Sequence, residues 1–257
     1  MPETIELLLK ELKLPAFARH YQRHQEQAVE NGYGHVRYLS GLCEQEVADR
    51  YQQRVLKWTR EAKLPAGKSF ASLILTELSA NVQQQVIALK EHTDWARRAG
   101  NVLLIGPSGV GKSHIAAAIA HQLIEQAIRV KWFSAMALVQ SLQQAKRDLE
   151  LMTAMTRLDK YQVLVIDDIG YVKKTDAETQ VLFEFIAHRY ESGSLIITSN
   201  QPFSQWDHIF PDTMMTVAAI DRIIHHATII EIEGESYRKK KSIKTNPFFS
   251  TETGQGN

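Results

Sequence analysis

Two short stretches hold residues whose types and spacing could do chemistry. GPSGVGKS, residues 106–113, has the spacing G-x-x-x-x-G-K-[ST]. Glycines at 106, 109 and 111 allow a backbone that curls with its N–H groups pointing inward, which suits phosphate oxygens. Lys112 is placed to reach β- and γ-phosphates, Ser113 to bind Mg²⁺, and a helix opening at His114 adds its positive end. The whole run Gly106, Pro107, Ser108, Gly109, Val110, Gly111, Lys112, Ser113 and His114 is therefore the candidate nucleotide cradle. The second stretch is VLVIDDIG, residues 163–170, in which four apolar β-formers lead into Asp167 and Asp168. Carboxylates at the end of a buried strand are costly unless a cation meets them. Downstream of a phosphate loop, that cation is Mg²⁺ and its carboxylate is Asp167. By strand alternation Asp168 points the other way, where it could orient an attacking water. The competing reading of Asp168 is a loop acid or helix cap.

The next apolar strand, SLIITSN, ends in Thr198, Ser199 and Asn200. Asn200 could hydrogen-bond a γ-phosphate or a water, or merely start the turn into Gln201-Pro202. Asp167 to Gly170 also fits the D-x-x-G of GTPases, but TSNQP stands where N-K-x-D would read guanine, which favours ATP. A small-molecule kinase would need an arginine-rich lid and an acceptor site, and neither is evident.

These residues need a scaffold. Continuous apolar runs NVLLIG, RVKWFSA, VLVIDDIG, SLIITSN and ATIIEIEG alternate with helical segments beginning near 112, 136, 176 and 214. That order predicts an α/β fold, a parallel sheet covered by helices on both faces. A helix is expected over SANVQQQVIALKEHTDWARRAG, with Gly100 as its stop. Residues 1–64 read as a small helical domain, with stripes Ile5, Leu8, Leu9, Leu12 and Val47, Tyr51, Val55, Trp58, Ala62. Packing is the expected role of Tyr51 and Trp58. A linker is expected at 65–78, the ATPase domain at 79–245, and a polar tail without structure at 246–257.

Bulk composition bounds the rest. The chain has 257 residues, 44% of them hydrophobic and 23% charged, enough for an ordinary core. A net charge of +1 gives no global polyanion signal, so a nucleic-acid surface must be local. YRKKKSIK, 237–244, offers Lys239, Lys240 and Lys241 to phosphates, or it is a solubilising charge run. The single Cys43 excludes an internal disulfide framework and is expected as a small buried residue in a reduced compartment. The first residues carry acids, unlike a signal peptide, and no apolar run approaches a membrane span, so a cytoplasmic protein is expected.

With GPSGVGKS, VLVIDDIGY, HRYE, IITSNQPFSQW, AAIDRIIHHA and GESYR in one order, the chain resembles the IstB-like transposition helper ATPases. That family is an AAA+ group close to the DnaC-type helicase loaders. The resemblance runs through about 70–242 and more loosely through the helical N-terminus. It implies a P-loop AAA+ sheet, ATP and Mg²⁺ as ligands, and DNA-stimulated hydrolysis. It further implies assembly of a homo-oligomer on duplex DNA and cooperation with the transposase of an insertion sequence. Carried over by motif, Arg222 is the finger reaching a neighbouring subunit's ATP and Arg238 the sensor arginine in its own subunit. Lys146 and Arg147 fall where relatives line a DNA channel. Asp168 departs from the usual Asp-Glu pair of AAA+ ATPases, and its shorter side chain implies slow or partner-triggered hydrolysis. A DnaC-type loader of replicative helicases is the alternative function, and a module that uses ATP as a structural ligand is another.

Overall fold

The computed structural model describes residues 2–170, 175–208, 213–234 and 236–237. They divide into two compact units, with the boundary between Trp58 and Thr59.

The first unit is helical. It contains α1 (Pro2–Glu11), α2 (Pro15–Glu30) and most of α3 (His35–Ala62). Pro15 opens α2 at a position where its missing N–H costs nothing. The remaining first-turn donors are met from another helix: Glu46 Oε2 accepts from Ala16 N at 2.8 Å and from Phe17 N at 3.4 Å. Arg50 Nε donates to the other carboxylate oxygen at 2.7 Å. Leu9, Ala16 and Leu42 are buried. The two expected stripes are largely not: Ile5, Leu8, Leu12, Val47 and Tyr51 are exposed, and Trp58 is half-buried. Three helices of this length have too little mutual surface to cover every apolar side chain. Cys43 is also exposed, one position past the buried Leu42 and so on the adjoining face of α3.

The second unit is a five-stranded parallel sheet in the order β2-β3-β4-β1-β5, built from β1 (Asn101–Ile105), β2 (Val130–Ser134), β3 (Val163–Asp167), β4 (Ser194–Ser199) and β5 (Ala227–Glu231). All pairings among the described residues are parallel. The three central strands are buried almost throughout, as a sheet with both faces covered requires. Helices α4 (Ala80–Glu91), α5 (Lys112–Glu125), α6 (Ala135–Arg147), α7 (Leu151–Leu158), α8 (Asp176–Arg189) and α9 (Thr213–Ile224) surround it. Leu103, Leu164, Ile166, Leu195 and Ile197 pack with α6, α8 and α9 through Leu138, Val181, Phe185 and Ile223. Because strand side chains alternate, Val102, Leu104, Val163, Val165 and Ile196 face the other way, where α5 lies against the sheet. Asp167 continues the series 163, 165, and Thr198 continues 196, so both end up on the side of α5.

Two helices are shorter than expected. α4 stops at Glu91, and residues 94–97 form a separate 3₁₀ turn before Gly100. The helical segment expected to begin near 136 is broken between α6 and α7, where Leu149 takes a left-handed conformation (φ 59°) and is almost wholly exposed. Residues 68–78 hold two single 3₁₀ turns, Phe70–Ser72 and Leu75–Glu77. At the other end of the sheet, buried Arg189 donates to the carbonyls of Tyr161 and Gln162 at 3.0 and 3.1 Å and so secures the entry to β3. Burial lowers its pKa, while Asp159 works in the opposite direction. Gly193 must lack a side chain, since a Cβ would lie 2.0 Å from this guanidinium.

Candidate functional site

The loop between β1 and α5 sits at the carboxyl end of the sheet, beside the strand order change at β1, where open α/β sheets bind ligands. Gly106, Gly109 and Gly111 all have positive φ (154°, 89° and 103°). Gly106 has a second reason to be glycine: a Cβ would meet the Ile232 carbonyl oxygen at 2.1 Å. Lys112 is buried, and its Nζ donates to the carbonyls of Gly106 and Pro107 at 2.6 and 2.7 Å, closing the loop from inside. His114 Nε2 lies 3.1 Å from both Ser72 Oγ and the Ser69 carbonyl.

Asp167 is the hub. Its Oδ1 accepts from Ser113 Oγ at 2.7 Å and from Thr198 Oγ1 at 2.6 Å. A serine hydroxyl that donates to a carboxylate keeps lone pairs for a cation. The donor set Ser113 plus Asp167, hard oxygens beside a phosphate cradle, therefore fits Mg²⁺. Asp168 departs from the expected alternation. β3 ends at Asp167, and Asp168 adopts a left-handed conformation (φ 66°) with its N–H on Thr198 Oγ1 at 2.8 Å. The turn aims the exposed Asp168 into the same cavity as the phosphate loop. Asn200 also lines that cavity, and its amide oxygen is buried with no hydrogen-bond partner among the described residues. Gly170 stands against it, where a Cβ would approach that oxygen to 2.9 Å.

The cavity has a volume of about 480 Å³, large enough for a nucleotide. Sequence reasoning missed two of its walls. Ser72, Leu73, Ile74 and Leu78 form one, and Ile232 and Gly234, just beyond β5, form another. The signal available was the apolar cluster in SLILTEL, which is more than a plain linker carries. Ser236 Oγ would lie 2.2 Å from a Cβ at Gly109, and Tyr237 N donates to the Gly109 carbonyl at 3.1 Å. GESYR thus meets the phosphate loop through these two residues. Arg238, Lys239, Lys240 and Lys241 lie outside the described residues.

The other candidates sit elsewhere. Arg222, in the last turn of α9, precedes β5 and so stands at the amino end of the sheet, away from the phosphate loop of its own chain. Its guanidinium donates to the Ala218 carbonyl at 2.8 Å and lies 5.4 Å from the Phe183 ring centre. Lys146 is engaged with Glu184 at 2.8 Å, and exposed Arg147 with Gln144 at 2.6 Å. Trp206, in the stretch SNQPFSQW, is fully buried and donates to the Gln201 carbonyl at 3.2 Å. Its part in that motif is to anchor the loop after β4.

A parallel sheet in this order, with its phosphate loop, its Asp-ended third strand and its polar fourth strand tip, defines a P-loop domain of the AAA+ kind. The chain belongs to the family of IstB-like ATP binding proteins, whose model matches residues 7–245. Among its relatives is an insertion-sequence ATP-binding protein of Sinorhizobium fredii, 43% identical over 93% of this chain and 80% of the relative. An ATP-binding protein of the insertion sequence IS21 from Pseudomonas aeruginosa is 31% identical over 93% of this chain and 90% of its own length. Solved structures similar in fold include the DnaC helicase loader (TM-score 0.52, 18% identity, 72% of this chain and 99% of that one). AMPPCP-bound DnaA of Aquifex aeolicus is another (TM-score 0.56, 16% identity, 75% and 58%).

Proposed function

We propose that this ATP-binding protein hydrolyses ATP, assembles as a homo-oligomer on duplex DNA, and assists the transposase of its insertion sequence in selecting or preparing target DNA. The observation that carries the reading is the Ser113–Asp167–Thr198 cluster beside the glycine loop, in a chain whose relatives are insertion-sequence ATP-binding proteins. Mg²⁺ bound at Ser113 and Asp167 would draw negative charge from the β- and γ-phosphates. Lys112 neutralises the same oxygens, and the loop N–H groups hold them in place. Asp168 and Asn200 flank the space beyond the γ-phosphate and hold a water there. The Asn200 oxygen, buried and without a partner among the described residues, supplies an acceptor for that water. Arg238 follows residues packed on the phosphate loop, which suits a contact in its own subunit. Arg222 lies at the far end of its own sheet, which suits a contact with the neighbour's ATP.

DNA contacts come from Arg147 and from Lys239, Lys240 and Lys241, with Lys146 joining them when it leaves Glu184. Residues 1–64 act as the domain for partner or subunit contacts, with 65–78 as the connection, 79–245 as the ATPase domain and 246–257 as a tail. Among the described residues no helix is long and apolar enough to cross a membrane, in keeping with work in the cytoplasm. The catalytic part is tested by mixing two inactive variants, Lys112→Ala and Arg222→Ala. Hydrolysis in the mixture, absent from either alone, is expected of a site shared between subunits. A mixture as inactive as its parts, or an Arg222→Ala variant with normal turnover, would overturn the shared site.

A further inference from the structure

A second cluster of chemistry-bearing side chains lies at the end of the sheet opposite the nucleotide cavity. Glu191 follows α8 in a left-handed conformation (φ 57°), and His225 and His226 form the turn between α9 and β5. One ligand atom from each of the three lies within 4.8 Å of the other two. Consecutive side chains of a strand diverge. On this turn the two imidazoles instead face each other, with ring centres 4.0 Å apart.

We infer that Glu191, His225 and His226 form a Zn²⁺ site that ties the end of α8 to the α9–β5 turn. Two imidazoles and a carboxylate suit zinc and not Mg²⁺ or Ca²⁺, which take oxygen ligands. Three protein ligands leave one tetrahedral position for water. Donors around tetrahedral zinc stand about 3.3 Å apart, and small side-chain rotations of these exposed residues close the difference. The surroundings are built to aim the ligands. The Tyr190 hydroxyl lies 2.9 Å from His225 Nδ1; accepting the Nδ1–H there, it leaves Nε2 of that ring free for the metal, as the carbonyl or carboxylate behind a ligating histidine does. Buried Asn101 fixes the turn from below: its N–H donates to the His226 carbonyl at 2.9 Å and its Nδ2 to the Ile223 carbonyl at 2.8 Å. Its Oδ1 accepts from Leu195 N at 2.9 Å, locking β1 and β4 to the same point. Asp221 and Arg222 stand nearby with opposite charges, Asp221 bonded through its carbonyl to His225 N at 3.0 Å.

The test is zinc binding by the full chain, without nucleotide, in competition with a chromophoric chelator, and Co²⁺ substitution read by visible absorption. One equivalent of tight zinc is expected, with a tetrahedral Co²⁺ spectrum. Glu191→Gln and the double variant His225→Ala/His226→Ala should lose it. Tyr190→Phe should weaken it by about tenfold or more. Lys112→Ala should bind zinc normally, so failure of the ATPase reading leaves this result intact. The inference is overturned if the double variant, folded by its thermal transition, keeps the parent's zinc stoichiometry and affinity, or if the parent binds no zinc.

Discussion

Thr198→Val isolates the residue that organises Asp167. Valine keeps the shape of the buried threonine and removes one hydroxyl. That hydroxyl donates to the Asp167 carboxylate at 2.6 Å and accepts the Asp168 N–H at 2.8 Å. A hydrogen bond to a charged group contributes about 1.5–3 kcal/mol net. Asp167 keeps Ser113 and is half-buried, which puts its loss near the lower figure. Asp168 is exposed, so water replaces the acceptor of its N–H at a cost under ~1 kcal/mol. The sum is about 2 kcal/mol, or a fall in Tm of about 4–8 °C for a unit of this size. The larger effect is expected in function. With one of its two orienting bonds gone, Asp167 should hold the metal about tenfold or more less tightly. ATP affinity measured without Mg²⁺ should change little, because Lys112 and the glycine loop are untouched. Thermal unfolding and nucleotide titration with and without Mg²⁺ read both effects. A variant with the parent's Tm and the parent's Mg²⁺-dependent affinity would refute the role given to Thr198.

Gly106→Ala should abolish ATP binding and lower stability, because its Cβ meets backbone, the Ile232 carbonyl, and not a side chain that could swing away; equilibrium nucleotide titration and melting check both. Asn101→Ala leaves the buried Ile223 carbonyl and Leu195 N–H without partners, at a cost of about 3 kcal/mol by denaturant unfolding. It should lower turnover more than ATP affinity, since the Ile223 carbonyl it releases adjoins Arg222 in the last turn of α9. Glu46 gives the first unit an acid-sensitive joint. Burial raises its pKa, but the bonds from Arg50, Ala16 and Phe17 outweigh this and hold it below the ordinary value of 4.5. A depressed carboxylate stabilises the fold above its unfolded pKa and loses that contribution as pH falls through the native one. Helicity of the first unit should therefore drop below about pH 4.5, and Glu46→Gln should flatten that part of the pH profile.

The strands were legible because runs such as VLVID and SLIIT are apolar on both faces, and only a covered parallel sheet uses that pattern. The same period of two puts Asp167 and Thr198 together on the α5 side, a pairing passed over in the sequence because Asn200 drew the notice at that strand tip. Asp168 escaped because alternation holds only while the strand continues, and the backbone turns left-handed one residue after Asp167. The wall formed by Ser72, Leu73, Ile74 and Leu78 was hidden because single 3₁₀ turns have no periodicity to read. Leu149 hid the break between α6 and α7, since sequence signals for a left-handed helix end rest on glycine or asparagine. The stripe through Val47 and Tyr51 misled because spacing shows that a helix can bury a face, not that enough partner surface exists to cover it.

The most direct test of the proposed function is steady-state ATP hydrolysis by the full chain alone, with duplex DNA and with single-stranded DNA. Stimulation by duplex, steeper than first order in protein concentration, is the expected result. Stimulation confined to single strands would contradict the transposition role and point to helicase loading, and indifference to either DNA would contradict a DNA-dependent ATPase altogether.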